Sequence, residues 1–168
     1  VSVARRIVAA GVLLAAAACR GEPAAPGRAR AAVARRADTI RFAAPATAYR
    51  CAAGDGVVLE AIELGNGLLV WVRTRDSVAG SYQILGVRDT VTPRGALVAV
   101  RFMAQAAAQG LSLDSGGVTV RDASGRLALT VAGSGLDLSG GARLFVEADI
   151  DSVPLPAAGD SIPCAAGS

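Results

Sequence analysis

Near the end of this chain Glu147, Asp149 and Asp151 recur at every second residue, a spacing that places all three carboxylates on one face of a strand. Such a row could offer oxygen ligands to a calcium ion, and two carboxyls flanking a sugar could act as acid and base in glycoside cleavage. No Asx-rich loop with a glycine bend accompanies the row, and no partner carboxyl is placed by the sequence. The competing reading is a solvated outer face that discourages edge pairing. The metal assignment stays open, with these three residues as its candidates. A second group is Trp71, Arg73 and Arg75, built around the one tryptophan of the chain. In Leu68–Arg73, Trp71 shares a face with Leu69 and Arg73, opposite Leu68, Val70 and Val72. If the latter face is core, Trp71 stands exposed beside two arginines, residue types enriched where proteins bind partners. The alternative packs Trp71 under a loop.

The chain holds neither histidine nor lysine. That removes Ser–His and Cys–His pairs, the Ser–Lys dyad and the Schiff-base lysine, together with His-containing zinc sites and the lysine-dependent phosphate loop. The expectation is a protein that is not an enzyme and takes no cofactor. Charge is divided unevenly. The 168 residues carry a net +3. Ahead of Asp38 stand seven arginines and Glu22, a balance of +6, while from Asp38 onward ten arginines face thirteen acids, a balance of −3. The folded part is thus mildly acidic and shows no basic stripe, which argues against nucleic acid as a partner.

The elements that position these residues are short apolar runs punctuated by Gly, Asn, Asp and Ser, the texture of strands and turns. Thr39–Phe42, Ala48–Cys51, Val57–Leu64, Leu68–Arg73, Ser81–Leu85, Ala96–Met103, Gly117–Arg121, Arg126–Val131 and Arg143–Ile150 read as strands. Gly65-Asn66-Gly67 and Asp122–Gly125 read as hairpin turns, because their residues tolerate positive φ. In the last strand Leu144, Val146, Ala148 and Ile150 fall on one face, and Arg143, Phe145, Glu147 and Asp149 on the other. Only Met103–Gln109 reads as helical, while Gly116-Gly117 and Gly140-Gly141 read as turns. The expected fold is a single all-β domain, an antiparallel sandwich or barrel of about eight strands over residues 38–168. Residues 20–37, rich in Ala, Arg, Pro and Gly, read as a disordered tether whose five arginines could lie along an anionic membrane.

Residues 1–18 have the form of a secretory leader: Arg5 and Arg6, then the apolar run Ile7–Ala18, too short to span a bilayer. Ala16-Ala17-Ala18 before Cys19 resembles the bacterial lipobox, with Ala16 where that motif prefers Leu. The resemblance implies a diacylated Cys19 at the mature N-terminus and, with Arg20 following, sorting to the outer membrane. Two acyl chains give stable anchoring where one gives only marginal binding. In an exported chain Cys51 and Cys164 are expected to form a disulfide.

Tyr49-Arg-Cys51-Ala-Ala-Gly54 with the late Cys164 resembles the opening of the lysozyme-inhibitor lipoproteins, small tethered β-barrels closed by a disulfide. Their Ser-Ala-Ser-Gly-Ala-Arg-Tyr loop has only a partial echo in Ser139-Gly-Gly-Ala-Arg143, so no inhibitory residue is carried over. Gly80-Ser-Tyr82, Asp114-Ser-Gly-Gly-Val-Thr-Val120 and Leu127–Gly133 are similar to small bacterial envelope lipoproteins with an uncharacterised β-domain, which implies no activity. The resulting expectation is an envelope-tethered binding or structural module whose partner is a protein, glycan or lipid. An inhibitor of an envelope-degrading enzyme and a carboxylate-based hydrolase are the alternatives.

Overall fold

The computed structural model describes residues 26–139, 141–157, 159 and 161–164. Ten strands follow in order: β1 (Gly27–Ala34), β2 (Thr39–Cys51), β3 (Val57–Glu63), β4 (Asn66–Arg73), β5 (Gly80–Gln83), β6 (Gly95–Ala104), β7 (Ala107–Ala123), β8 (Arg126–Asp137), β9 (Arg143–Pro154) and β10 (Ser161–Ile162). Eight of them close an antiparallel barrel in the order β1-β9-β8-β7-β6-β4-β3-β2, shut by the pairing of β1 with β2. The first half of β7 pairs with β6 and the second half with β5, so β5 fills the gap where those two strands diverge. Short β10 lies parallel to the end of β2, beyond the start of β1.

Alternation sends apolar side chains inward. Leu59, Leu68, Phe102, Leu111, Leu129 and Ile150 are among the fully buried ones, each contributing roughly 1.5–3 kcal/mol by leaving water. β1 and β2 line their part of the interior mostly with alanine, at Ala29, Ala31, Ala44, Ala46 and Ala48. An eight-stranded barrel is just wide enough for side chains to fill. The outward positions carry Arg30, Arg41, Arg101, Thr130, Glu147 and Asp149. A charged exterior around an apolar interior is the reverse of a membrane-spanning barrel. Among the described residues, no helix is long and apolar enough to cross a membrane.

Several expectations are corrected. Gly27–Ala34, assigned to a disordered linker, is a barrel strand. Its inward residues are Gly27, Ala29, Ala31 and Val33, with outward Arg28 and Arg30 alternating among them at the start, so the sequence shows little apolar contrast, yet it covers edges of β9 and β2 that would otherwise lie open. Arg30 accordingly makes ion pairs across the barrel wall, and Arg35 pairs with Asp38 in the connection from β1 to β2, instead of serving a tether. The Met103–Gln109 segment is not helical: it forms the β6–β7 hairpin, with Gln105 at φ 57°. A run this short cannot offset the cost of nucleating a helix, whereas the two strands are already aligned to meet. Thr39–Phe42 and Ala48–Cys51 are one strand running through Pro45, which pairs with Arg28 just past the last β2–β3 pair, Ala46 with Ala61. The missing N–H of proline therefore interrupts no ladder on that side.

The first hairpin turns at Leu64-Gly65, one position earlier than its glycines suggest, with both residues at positive φ as a two-residue turn of matching twist requires. The second turns at Ser124-Gly125 in the same way. Gly116 is no turn: it lies inside β7 beside a register shift between Leu113 and Ser115, at φ 112°, where a Cβ would come within 2.2 Å of the Ala132 carbonyl. Glycine permits that close approach where the sheet bends.

The strand directions sort the connections onto two ends. The near end, from which the chain enters at Gly27, holds residues 52–56, 74–94, 124–125 and the described residues after β9. The far end holds residues 35–38, 64–65, 105–106 and 138–142.

Candidate functional site

Trp71, Arg73 and Arg75, singled out from residue type alone, line one cavity of about 400 Å³ at the near end, with Asp55, Val91 and Cys164. The β4 alternation explains this. Leu68, Val70 and Val72 are buried, so Trp71 and Arg73 project outward as the strand reaches its end. Trp71 is half-buried and its indole N–H donates to the Asp55 carbonyl at 3.3 Å. The Arg73 guanidinium lies 5.6 Å from the Trp71 ring centre, a cation–π distance.

Arg73 also organises the loop over the cavity. Its two terminal nitrogens donate to the carbonyls of Asp89 and Thr90, at 2.8 and 3.3 Å. Asp89 then accepts from the amides of Val91 and Thr92 and from the Thr92 hydroxyl, the last at 2.6 Å. Those hydrogen bonds, the Thr92 hydroxyl first, hold the Asp89 carboxyl below its ordinary pKa. Deeper in the same excursion buried Tyr82 donates its hydroxyl to the Val78 carbonyl at 2.8 Å, and Arg94 stacks over its ring at 5.0 Å. The tip, so braced, presents Val87 and Val91 at 67% and 86% exposure, on either side of exposed Arg88.

Arg75 is differently placed. Its side chain is 83% exposed and its ion pair with Asp55 is long, at 4.0 Å, so its donors are turned to the solvent side of the cavity. An aromatic ring, a rigid loop and an exposed guanidinium suit recognition of a polar or anionic group.

The Cys51–Cys164 disulfide closes the wall beside this cavity, with Cα atoms 5.2 Å apart across a sequence separation of 113. Cys164 is part of the lining. Cys19 lies outside the described residues.

The carboxylate row sits elsewhere, on the outer wall of β9. Arg30 on neighbouring β1 reaches both Asp149 and Asp151, at 3.2 and 3.1 Å. Glu147 and Asp149 border a groove of about 740 Å³ across β2, β1, β9 and β8, whose floor includes Ala32 and Ala132 and whose other rim carries Arg41. The structure brings the three acids onto one face as the spacing predicts, and gives two of them a guanidinium partner. Among the described residues no group of three metal-ligating side chains is assembled. The Ser139–Arg143 echo lies at the far end, where Arg143 is held by Asp114 at 2.7 Å and by the Ser134 hydroxyl at 2.9 Å.

The sequence reading missed the 86–92 loop as part of the site. Its signal was Asp89-x-x-Thr92, a spacing at which an Asp side chain captures nearby amides and a hydroxyl. It also missed Arg30, because that residue was assigned to the linker.

Comparison with known proteins returns no matching family model, no matching curated protein and no matching solved structure.

Proposed function

We propose that this protein is an exported envelope lipoprotein, anchored through Cys19, whose barrel is a non-enzymatic binding module acting at the Trp71 cavity. The observation that carries the reading is the convergence of Trp71, Arg73 and Arg75 on one cavity under a loop braced in advance. A pre-ordered site loses little conformational freedom when a ligand arrives. The lipobox resemblance and the disulfide agree with an exported setting.

Trp71 is the one tryptophan, so its emission tests the reading without a label. Titration with soluble peptidoglycan fragments, acidic peptides and short-chain phosphatidylglycerol should give a saturable change with one of them, weakened at least tenfold in Arg75→Ala. No saturable change with any probe contradicts the reading.

A second reading has its own observation. Arg88 stands at the tip of a rigid, projecting loop, the form in which an inhibitor enters an enzyme cleft. Inhibition of lysozyme hydrolysis, abolished in Arg88→Ala, would favour it. Undiminished hydrolysis at high excess of the protein would exclude it for that enzyme.

A further inference from the structure

We infer that the near end of the barrel rests on the bilayer and that anionic phospholipid is the partner of the Trp71 site; this deepens the proposed function and rests on the anchor at Cys19. Three independent features point the same way.

The first is where the chain enters. Only seven residues lie between Cys19 and Gly27, the start of β1, and the eight Cα-to-Cα steps reach at most about 29 Å fully extended. The near end is therefore the part of the barrel the anchor holds beside the membrane, and the far end is a barrel length further out.

The second is charge. The near-end connections and the strand residues that border them, from Arg50 to Gly56, Arg73 to Gly95, Arg121 to Arg126 and Pro154 to Cys164, hold seven arginines against five aspartates. The matching far-end set balances Arg35, Arg36 and Arg143 against Asp38, Glu63 and Asp137. The domain from Asp38 is acidic as a whole, so this positive end departs from its surroundings, and basic residues near an anionic leaflet attract it.

The third is the loop tip. Val87 and Val91 project from a segment held by Arg73 and by the Asp89–Thr92 hydrogen bonds. Two exposed aliphatic side chains flanking an arginine can enter the interface while the guanidinium stays among headgroups. Arg75 and Trp71 line the same cavity as Val91, which brings them to the headgroup layer when the tip enters the interface. An indole ring suits that layer.

The test adds a tryptophan at each end of the full chain, Val91→Trp at the near end and Leu64→Trp at the far end, where Leu64 is 89% exposed, and reads the emission each adds over that of Trp71 in the unsubstituted chain. Both are expressed with the leader and reconstituted into vesicles of phosphatidylethanolamine and phosphatidylglycerol containing brominated lipid. The expected result is at least twofold quenching of the Val91→Trp emission, with the Leu64→Trp emission unchanged. In Val91→Trp carrying Arg75→Gln and Arg88→Gln, the quenching should fall towards that of Leu64→Trp. Equal quenching at both ends, quenching only at Leu64→Trp, or quenching at neither overturns the inference. The mass of the same samples reports acylation of Cys19 separately. Near-end quenching without acyl mass supports the orientation and removes the anchor, whereas acylation without near-end quenching leaves the anchor and removes the orientation.

Discussion

The two ends of this barrel are built from the same strands by opposite means. At the far end β3 and β4, and β6 and β7, join through pairs of residues, Leu64-Gly65 and Gln105-Ala106. Its exposed side chains include Ile62, Leu64 and Leu138. At the near end the chain makes the long excursion 74–94, adds β5 and β10 outside the eight-stranded closure, and is stapled by Cys51–Cys164. At the far end the two-residue turns leave little to order, and the ion pairs Arg35–Asp38 and Arg143–Asp114 fix the remaining connections locally. The near end needs covalent and hydrogen-bonded bracing because long segments carry a larger conformational entropy, and that bracing is what prepares a cavity.

The difference between the two ends is largest at the disulfide. Reduction, or Cys51→Ala with Cys164→Ala, should lower unfolding stability by up to about 4.7 kcal/mol, the chain-entropy value for a loop of some 100 residues. Urea unfolding measures the loss, and amide exchange should rise first in residues 74–94 and 155–164. Protection falling first at the far end would contradict the division. Next are two glycines in positive φ. Gly56→Ala at the near end places a Cβ 1.8 Å from the Val72 carbonyl at φ 106° and should cost about 3 kcal/mol or more. Gly65→Ala at the far end, at φ 83° beside the flexible Met103 thioether, should cost about 1 kcal/mol. Thermal unfolding of the pair ranks them.

Arg73→Ala should cost about 1–2 kcal/mol through its lost hydrogen bonds and should loosen residues 86–92 in hydrogen exchange. Arg143→Ala, which removes an exposed pair with Asp114, should leave that loop untouched and barely move the midpoint. The smallest effect is acid loosening. Because Asp89 has its pKa lowered on folding, its contribution is complete above the unfolded value of about 3.9 and is lost as pH falls through the lowered one. Exchange in residues 89–92 should therefore accelerate only in that acid window, and Asp89→Asn should remove the acid step.

How far the sequence disclosed this depends on the contrast between neighbours. β9 was legible in its start and its facing, though it runs four residues past Ile150, because Leu144, Val146, Ala148 and Ile150 alternate with charged or exposed positions. β4 was legible for the same reason, and it placed Trp71 and Arg73 correctly on the outward face. β1 was not, since Ala29 and Ala31 are too weakly apolar to mark an inward face between arginines, and only closure of the barrel gives them something to cover. The hairpin at Gln105 was hidden by helix-favouring alanines whose preference is overridden by the strands that converge there. Arg30 beside Asp149 and Asp151 depends on which strand neighbours β9, a long-range fact that no local pattern contains. The cavity itself was half visible: its residue types stood out, whereas the loop that braces it was marked only by Asp89 and Thr92.

The most direct test of the account is the intact mass of the mature protein from a membrane fraction, before and after reduction. The expected result is an N-terminus at Cys19 carrying acyl mass, and a gain of two hydrogens on reduction as the Cys51–Cys164 bond opens. An unacylated chain with free thiols from the outset would contradict both the anchor and the stapled near end on which the proposed site depends.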